Sequence, residues 1–75
     1  MENFIKSFSE TLERESGSCN PTDKYKEYPE WDSIGLLSVL AMINEEYDVT
    51  VSRDEIENTD TVAELYALIL QKLGK

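Results

Sequence analysis

Ser33 is the residue best placed to do chemistry. It lies between Asp32 and Ile34, where a loop of residues 16–32 gives way to the apolar run Ile34, Leu36, Leu37, Val39, Leu40, Ala41, Met42 and Ile43, broken only by Gly35 and Ser38. As a nucleophile it lacks support. Ser33-Ile34-Gly35 is half of a Gly-x-Ser-x-Gly elbow, but Trp31 occupies the first glycine position and the chain has no histidine to take the proton. A helix start can instead hold an anion, because its free N–H groups and dipole favour negative charge. Serine near an N-terminus is also an ordinary capping residue, and spacing alone leaves capping and carrying a group as open alternatives.

The rest of the composition narrows the chemistry further. Seventy-five residues, with sixteen acids against seven bases, carry a formal charge of −9 at a pI near 4.2. A chain this short folds as one domain, here residues 1–75, and buries only about 60% of its unfolded surface, leaving no room for a large cleft. An enzyme is not expected. The charge would repel a phosphate backbone or an anionic bilayer, so neither nucleic acid nor membrane is an expected partner. Absent histidine removes the usual neutral-pH base and zinc ligand. Cys19 has no second cysteine for a disulfide or a metal site, and is read as incidental. No Asp-x-Asp-x-Asp-Gly calcium loop occurs. Residues 1–6 lack a basic-then-apolar signal pattern and no eighteen-residue apolar run exists, so a soluble, cytoplasmic monomer is expected.

The elements that must position Ser33 follow from periodicity. Phe4, Ile5, Phe8 and Leu12 recur at helical spacing within a first helix expected over Glu2 to Glu15. Gly17, Asn20 and Pro21 stop it, and the long loop of residues 16–32 carries Tyr25, Tyr28 and Trp31 as its own packing groups. Trp31 reads first as loop core. Asp32 is the N-cap of a second helix running to about Tyr47. Its apolar surface is too wide for one face: positions 36, 39, 40, 43 and 47 make a core stripe, while Leu37 and Ala41 align with Ser33 on another side and should be exposed. Ser52-x-x-Glu55 and Thr61-x-x-Glu64 are capping-box patterns opening a short helix around Ile56 and a final helix, whose Val62, Leu65, Tyr66, Ile69 and Leu73 are spaced for burial. Val39, Leu40, Ile43, Ile56, Val62, Leu65 and Ile69 are the expected core. The fold class is all-α: a small four-helix bundle of three main helices and one short one, with a long first loop.

On these residues the chain resembles the acyl and peptidyl carrier proteins. Asp32-Ser33-Ile34 is similar to their Asp-Ser-Leu attachment motif. The likeness continues without an apparent gap through Asn44-Glu45-Glu46-Tyr47-Asp48, Val51, Asp54-Glu55-Ile56 and Asp60-Thr61-Val62 to Ile69, whereas the first thirty-one residues match in pattern only. The resemblance implies that Ser33, flanked by Asp32 and Ile34, carries 4′-phosphopantetheine delivered from coenzyme A by a phosphopantetheinyl transferase. The thiol of that arm would carry cargo as a thioester. It also implies partners that load and transfer acyl or aminoacyl groups and meet acids of the second helix, Glu45 and Glu46, with basic patches, while the exposed stripe of Leu37 and Ala41 reads from its spacing as a further partner contact.

Departures from the bacterial fatty-acid pattern shape the expected role. Gly35 and Ser38 stand where acids are common, and Pro29-Glu30-Trp31 replaces the usual Gly-containing lead-in. An acyl carrier of a fatty-acid-like or specialised pathway is therefore expected. The alternatives are an aminoacyl or peptidyl carrier, including a D-alanyl carrier with its similar Ser-x-Gly order, and an unmodified acidic helical adaptor.

Overall fold

A computed structural model describes residues 2–15 and 17–74; Met1, Ser16 and Lys75, which the sequence places at the N-terminus, the loop start and the chain end, lie outside the described residues. The helices are α1 (Glu2–Thr11), α2 (Ser33–Tyr47), α3 (Arg53–Glu57) and α4 (Val62–Lys72), within extents of 30 × 24 × 21 Å. The all-α reading with three main helices and one short one holds.

Three of the four helix starts follow from local side-chain chemistry. Asp32 Oδ1 accepts the Gly35 N–H at 2.7 Å, while Ser52 and Thr61 each head a complete capping box with Glu55 and Glu64. These side chains satisfy backbone donors that the first helical turn leaves without partners.

The first helix ends four residues before the expected Glu15. Glu13 adopts φ 59°, and the Arg14 N–H reaches back to the Ser9 carbonyl at 2.8 Å while Glu13 N–H binds the Glu10 carbonyl at 3.0 Å. This pair of bonds is a Schellman closure, normally built on glycine. Periodicity ran on through Leu12, which is indeed buried, but the backbone had already turned.

The loop is ordered by contacts with the far end of the chain. A 3₁₀ turn at Tyr25–Glu27 interrupts it, and the Pro21 and Asp23 carbonyls accept the Ala63 and Val62 N–H groups at 2.9 and 3.1 Å. The loop thus satisfies donors at the start of α4. Tyr25 is fully buried, bonded through its hydroxyl to Thr59 and the Ile56 carbonyl, and its ring meets Phe8 at 5.7 Å and Trp31 at 4.9 Å, both edge-on. Such aromatic pairs add ~0.5–1.5 kcal/mol beyond burial. Trp31 accordingly lies against the core, as expected.

The core comprises Phe4, Phe8 and Leu12 of the α1 segment, Leu36, Val39, Met42 and Ile43 of α2, Ile56 of α3, and Val62, Leu65 and Ile69 of α4, with Cys19, Tyr25 and Val51 from the connecting segments. Leu40 and Tyr66 are only partly buried, and Leu73, expected inside, is 37% exposed because α4 ends at Lys72. Met42, outside the expected stripe, is buried. Among the described residues no helix is long and apolar enough to cross a membrane.

Candidate functional site

Ser33 is the first residue of α2 and is exposed. Asp32 directs its carboxylate onto the Gly35 N–H, and the Leu36 N–H binds the Asp32 carbonyl at 2.9 Å, so the first turn is closed by the residue before Ser33 rather than by Ser33 itself. The plain capping reading therefore belongs to Asp32. That carboxylate also brings negative charge to the helix start and takes one of its donors.

Beside Ser33 the surface is apolar. Ile34 is 74% and Leu37 65% exposed, and Ala41 continues the same side of α2. Fully burying such aliphatic side chains would stabilise by ~1.5–3 kcal/mol each, which the isolated fold forgoes. Glu45 and Glu46 stand exposed near the other end of the helix, with Glu46 accepting the Ser7 hydroxyl at 2.9 Å. Asp48 has a backbone reason for its place: it caps α2 at φ 55°, a left-handed conformation that aspartate tolerates better than most residues. The expected site residues thus share one helix, Ser33, Ile34, Leu37 and Ala41 toward its start and Glu45 and Glu46 toward its end.

Beside the helix start, a cleft of about 320 Å³ is lined by two of the expected site residues, Asp32 and Ile34, together with Leu12, Glu30, Gly35 and Ser38 among others. Its floor gives Gly35 a steric reason that none of the motif patterns it falls in carries. A Cβ at this buried position would lie 2.8 Å from the Glu30 carbonyl oxygen and 3.1 Å from Leu12 Cδ2. The loop closes directly over the first turn of α2. Glycine among helical residues, next to a loop containing proline, is the sequence signal for such a close approach. Glu30 itself is held by Arg14, at 2.6 Å from Nη1. A hydrogen bond from its own backbone and the Arg14 guanidinium hold its carboxyl below the usual glutamate range. A larger cleft of about 590 Å³, between α3 and α4, is lined by none of the expected site residues.

The phosphopantetheine attachment site family matches residues 4–69, which includes α2 and the whole core. The chain belongs to that family. Its fold is that of a solution NMR structure of a holo acyl carrier protein from Geobacter metallireducens, with a TM-score of 0.79 over 96% of this chain and 83% of that one at 17% identity. No curated protein matches. The chain is a carrier, not an enzyme, and its cofactor is covalently attached 4′-phosphopantetheine. The start of α2 fits that group: Ser33 is exposed there, and the first turn is already closed by its neighbour Asp32.

Proposed function

We propose that Ser33 is the attachment residue, and that the domain of residues 1–75 presents acyl intermediates to the enzymes of a specialised biosynthetic pathway. What supports the residue is its place: Ser33 combines the Asp32-Ser33-Ile34 motif, exposure at the start of α2 and a position inside the matched region. When bound, the arm supplies a thiol that carries cargo as a thioester. The chain contributes the acceptor: Ser33 Oγ forms a phosphodiester with the phosphopantetheine phosphorus as the pyrophosphate P–O bond of coenzyme A breaks and adenosine 3′,5′-bisphosphate leaves. The hydroxyl proton leaves to a base of the transferase. Asp32 holds the helix start through the Gly35 N–H.

Ile34, Leu37 and Ala41 form the apolar part of the partner surface, and Glu45 and Glu46 its acidic part. The net charge of −9 favours enzymes with basic patches around their active sites. Ser38, standing where an acid is common in the bacterial fatty-acid pattern, supports a specialised pathway over general fatty-acid synthesis.

Intact mass spectrometry after incubation with coenzyme A and a broad-specificity transferase tests the assignment. Wild type should gain a single phosphopantetheine mass and Ser33→Ala none. Gain by the variant, or no gain by wild type, refutes it.

A further inference from the structure

We infer that Arg14 and Gly35 are positioning residues for the modification of Ser33, together clamping the segment that leads into it. The inference rests on Ser33 being the attachment residue.

The clamp has two jaws. On one side, Arg14 leaves the end of α1 at a backbone turn fixed by the Glu13 and Arg14 N–H bonds to Glu10 and Ser9. Its guanidinium pairs with Glu30 Oε1 at 2.6 Å, sits 3.9 Å from the centre of the Tyr28 ring and reaches the Ser18 carbonyl at 3.5 Å. The Arg14 side chain is 16% exposed and Glu30 39%, so the ion pair is partly open to solvent and the arginine's further contacts to Tyr28 and Ser18 share the work of holding the segment. One planar cation thereby ties both halves of the loop to α1.

On the other side, the missing Cβ of Gly35 lets the Glu30 carbonyl settle onto the first turn of α2. Asp32 Oδ1 lies 3.4 Å from the same point while it accepts the Gly35 N–H. Residues 28–31 also close a turn, with the Trp31 N–H 3.0 Å from the Tyr28 carbonyl. The three residues before Ser33 are held from α1, from α2 and by their own turn.

A transferase that grips Ser33 together with its lead-in meets a segment already ordered. Loosening either jaw shifts that ordering cost to the moment of binding, which raises the KM for the carrier and leaves the KM for coenzyme A unchanged.

The test uses Arg14→Met, Gly35→Ala and, as a remote control, Lys72→Met, which removes the Lys72–Glu55 pair at the end of α4. Gly35→Ala is informative because alanine is the better helix former, so a loss there does not reflect a weaker helix. With each variant shown to be folded by circular dichroism at the assay temperature, kcat/KM for loading should fall about 10- to 100-fold for Arg14→Met and Gly35→Ala, through the carrier KM. Lys72→Met should load as wild type. Backbone order parameters of residues 30–32 should fall in the same two variants. Folded variants that load at the wild-type rate, or a fall matched by Lys72→Met, overturn the clamp. Failure of wild type to load overturns the Ser33 assignment instead, so the two are separable.

Discussion

Replacing Leu37 by glutamine should leave the fold almost untouched and damage partner engagement. Leu37 is 65% exposed, so roughly a third of its side chain is removed from water in the free protein. Complete burial of a leucine contributes ~1.5–3 kcal/mol, which puts the stabilisation at stake near 0.5–1 kcal/mol. Ile43, on the opposite side of the same helix, is fully buried and makes the proper comparison; Leu40, which the sequence suggested, is only partly buried. Truncating Ile43 to alanine removes three carbons from a packed interior and leaves a cavity, costing ~2–5 kcal/mol. For a domain of this size 1 kcal/mol moves Tm by ~4–8 °C, so Ile43→Ala should lower it by at least about 8 °C and Leu37→Gln by a few degrees. Thermal melts give these numbers directly, and loading by a transferase and transfer to a partner enzyme give the functional side. Leu37→Gln should melt near wild type yet transfer poorly. If Leu37→Gln is as destabilising as Ile43→Ala, or if it melts normally and transfers at the wild-type rate, the docking surface has been placed on the wrong side of α2.

Three further perturbations test the electrostatics and the backbone. Added salt or divalent cations should raise Tm, because the acids outnumber the bases by nine and screening relieves that repulsion, while the same salt weakens association with a basic enzyme; a flat or falling Tm would mean that the Arg14–Glu30 and Lys72–Glu55 attractions govern instead. Hydrogen bonds from the Thr61 and Asp60 N–H groups hold the Glu64 carboxyl below its ordinary 4.5, so its contribution is complete above that value and is lost as pH falls through the lowered one. Glu64→Gln keeps an acceptor there and should flatten the loss of stability below about pH 4.5, and an unchanged acid limb in denaturant titrations would refute that role. Glu13→Gly should stabilise by ~0.5–1 kcal/mol by relieving a left-handed backbone at the end of α1, and a loss of stability would show that the glutamate side chain is needed there.

Much of the site was legible because its determinants are local. Asp32, Ser52 and Thr61 announce helix starts through chemistry that acts across three residues, and each does what its pattern implies. The two-sided apolar run of α2 likewise foretold an exposed Leu37. What could not be read depends on distant partners or on backbone conformation. Glu13 gives no composition signal for a left-handed closure, so the periodicity of α1 ran past its true end. The loop takes its order from Ala63 and Val62, some forty residues away, and from the Tyr25 hydroxyl reaching Thr59. Gly35 was legible as a departure, but its cause, a carbonyl 2.8 Å from an absent Cβ, requires the loop and the helix to be seen together.

These non-local features bear on how α2 serves two purposes. Val39, Met42 and Ile43 are buried, so the inner side of α2 is committed to the core. Its outer side keeps Ile34, Leu37 and Ala41 in water, at a cost in potential burial that the free protein does not recover. The helix start is closed by Asp32, and the lead-in is tied down by Arg14 and Gly35, so neither task falls to Ser33. On the proposed assignment, modifying Ser33 disturbs neither the cap nor the ties of the lead-in. A carrier must tolerate both the bare and the loaded hydroxyl within one fold, and assigning the cap to the preceding residue is the local arrangement that permits it.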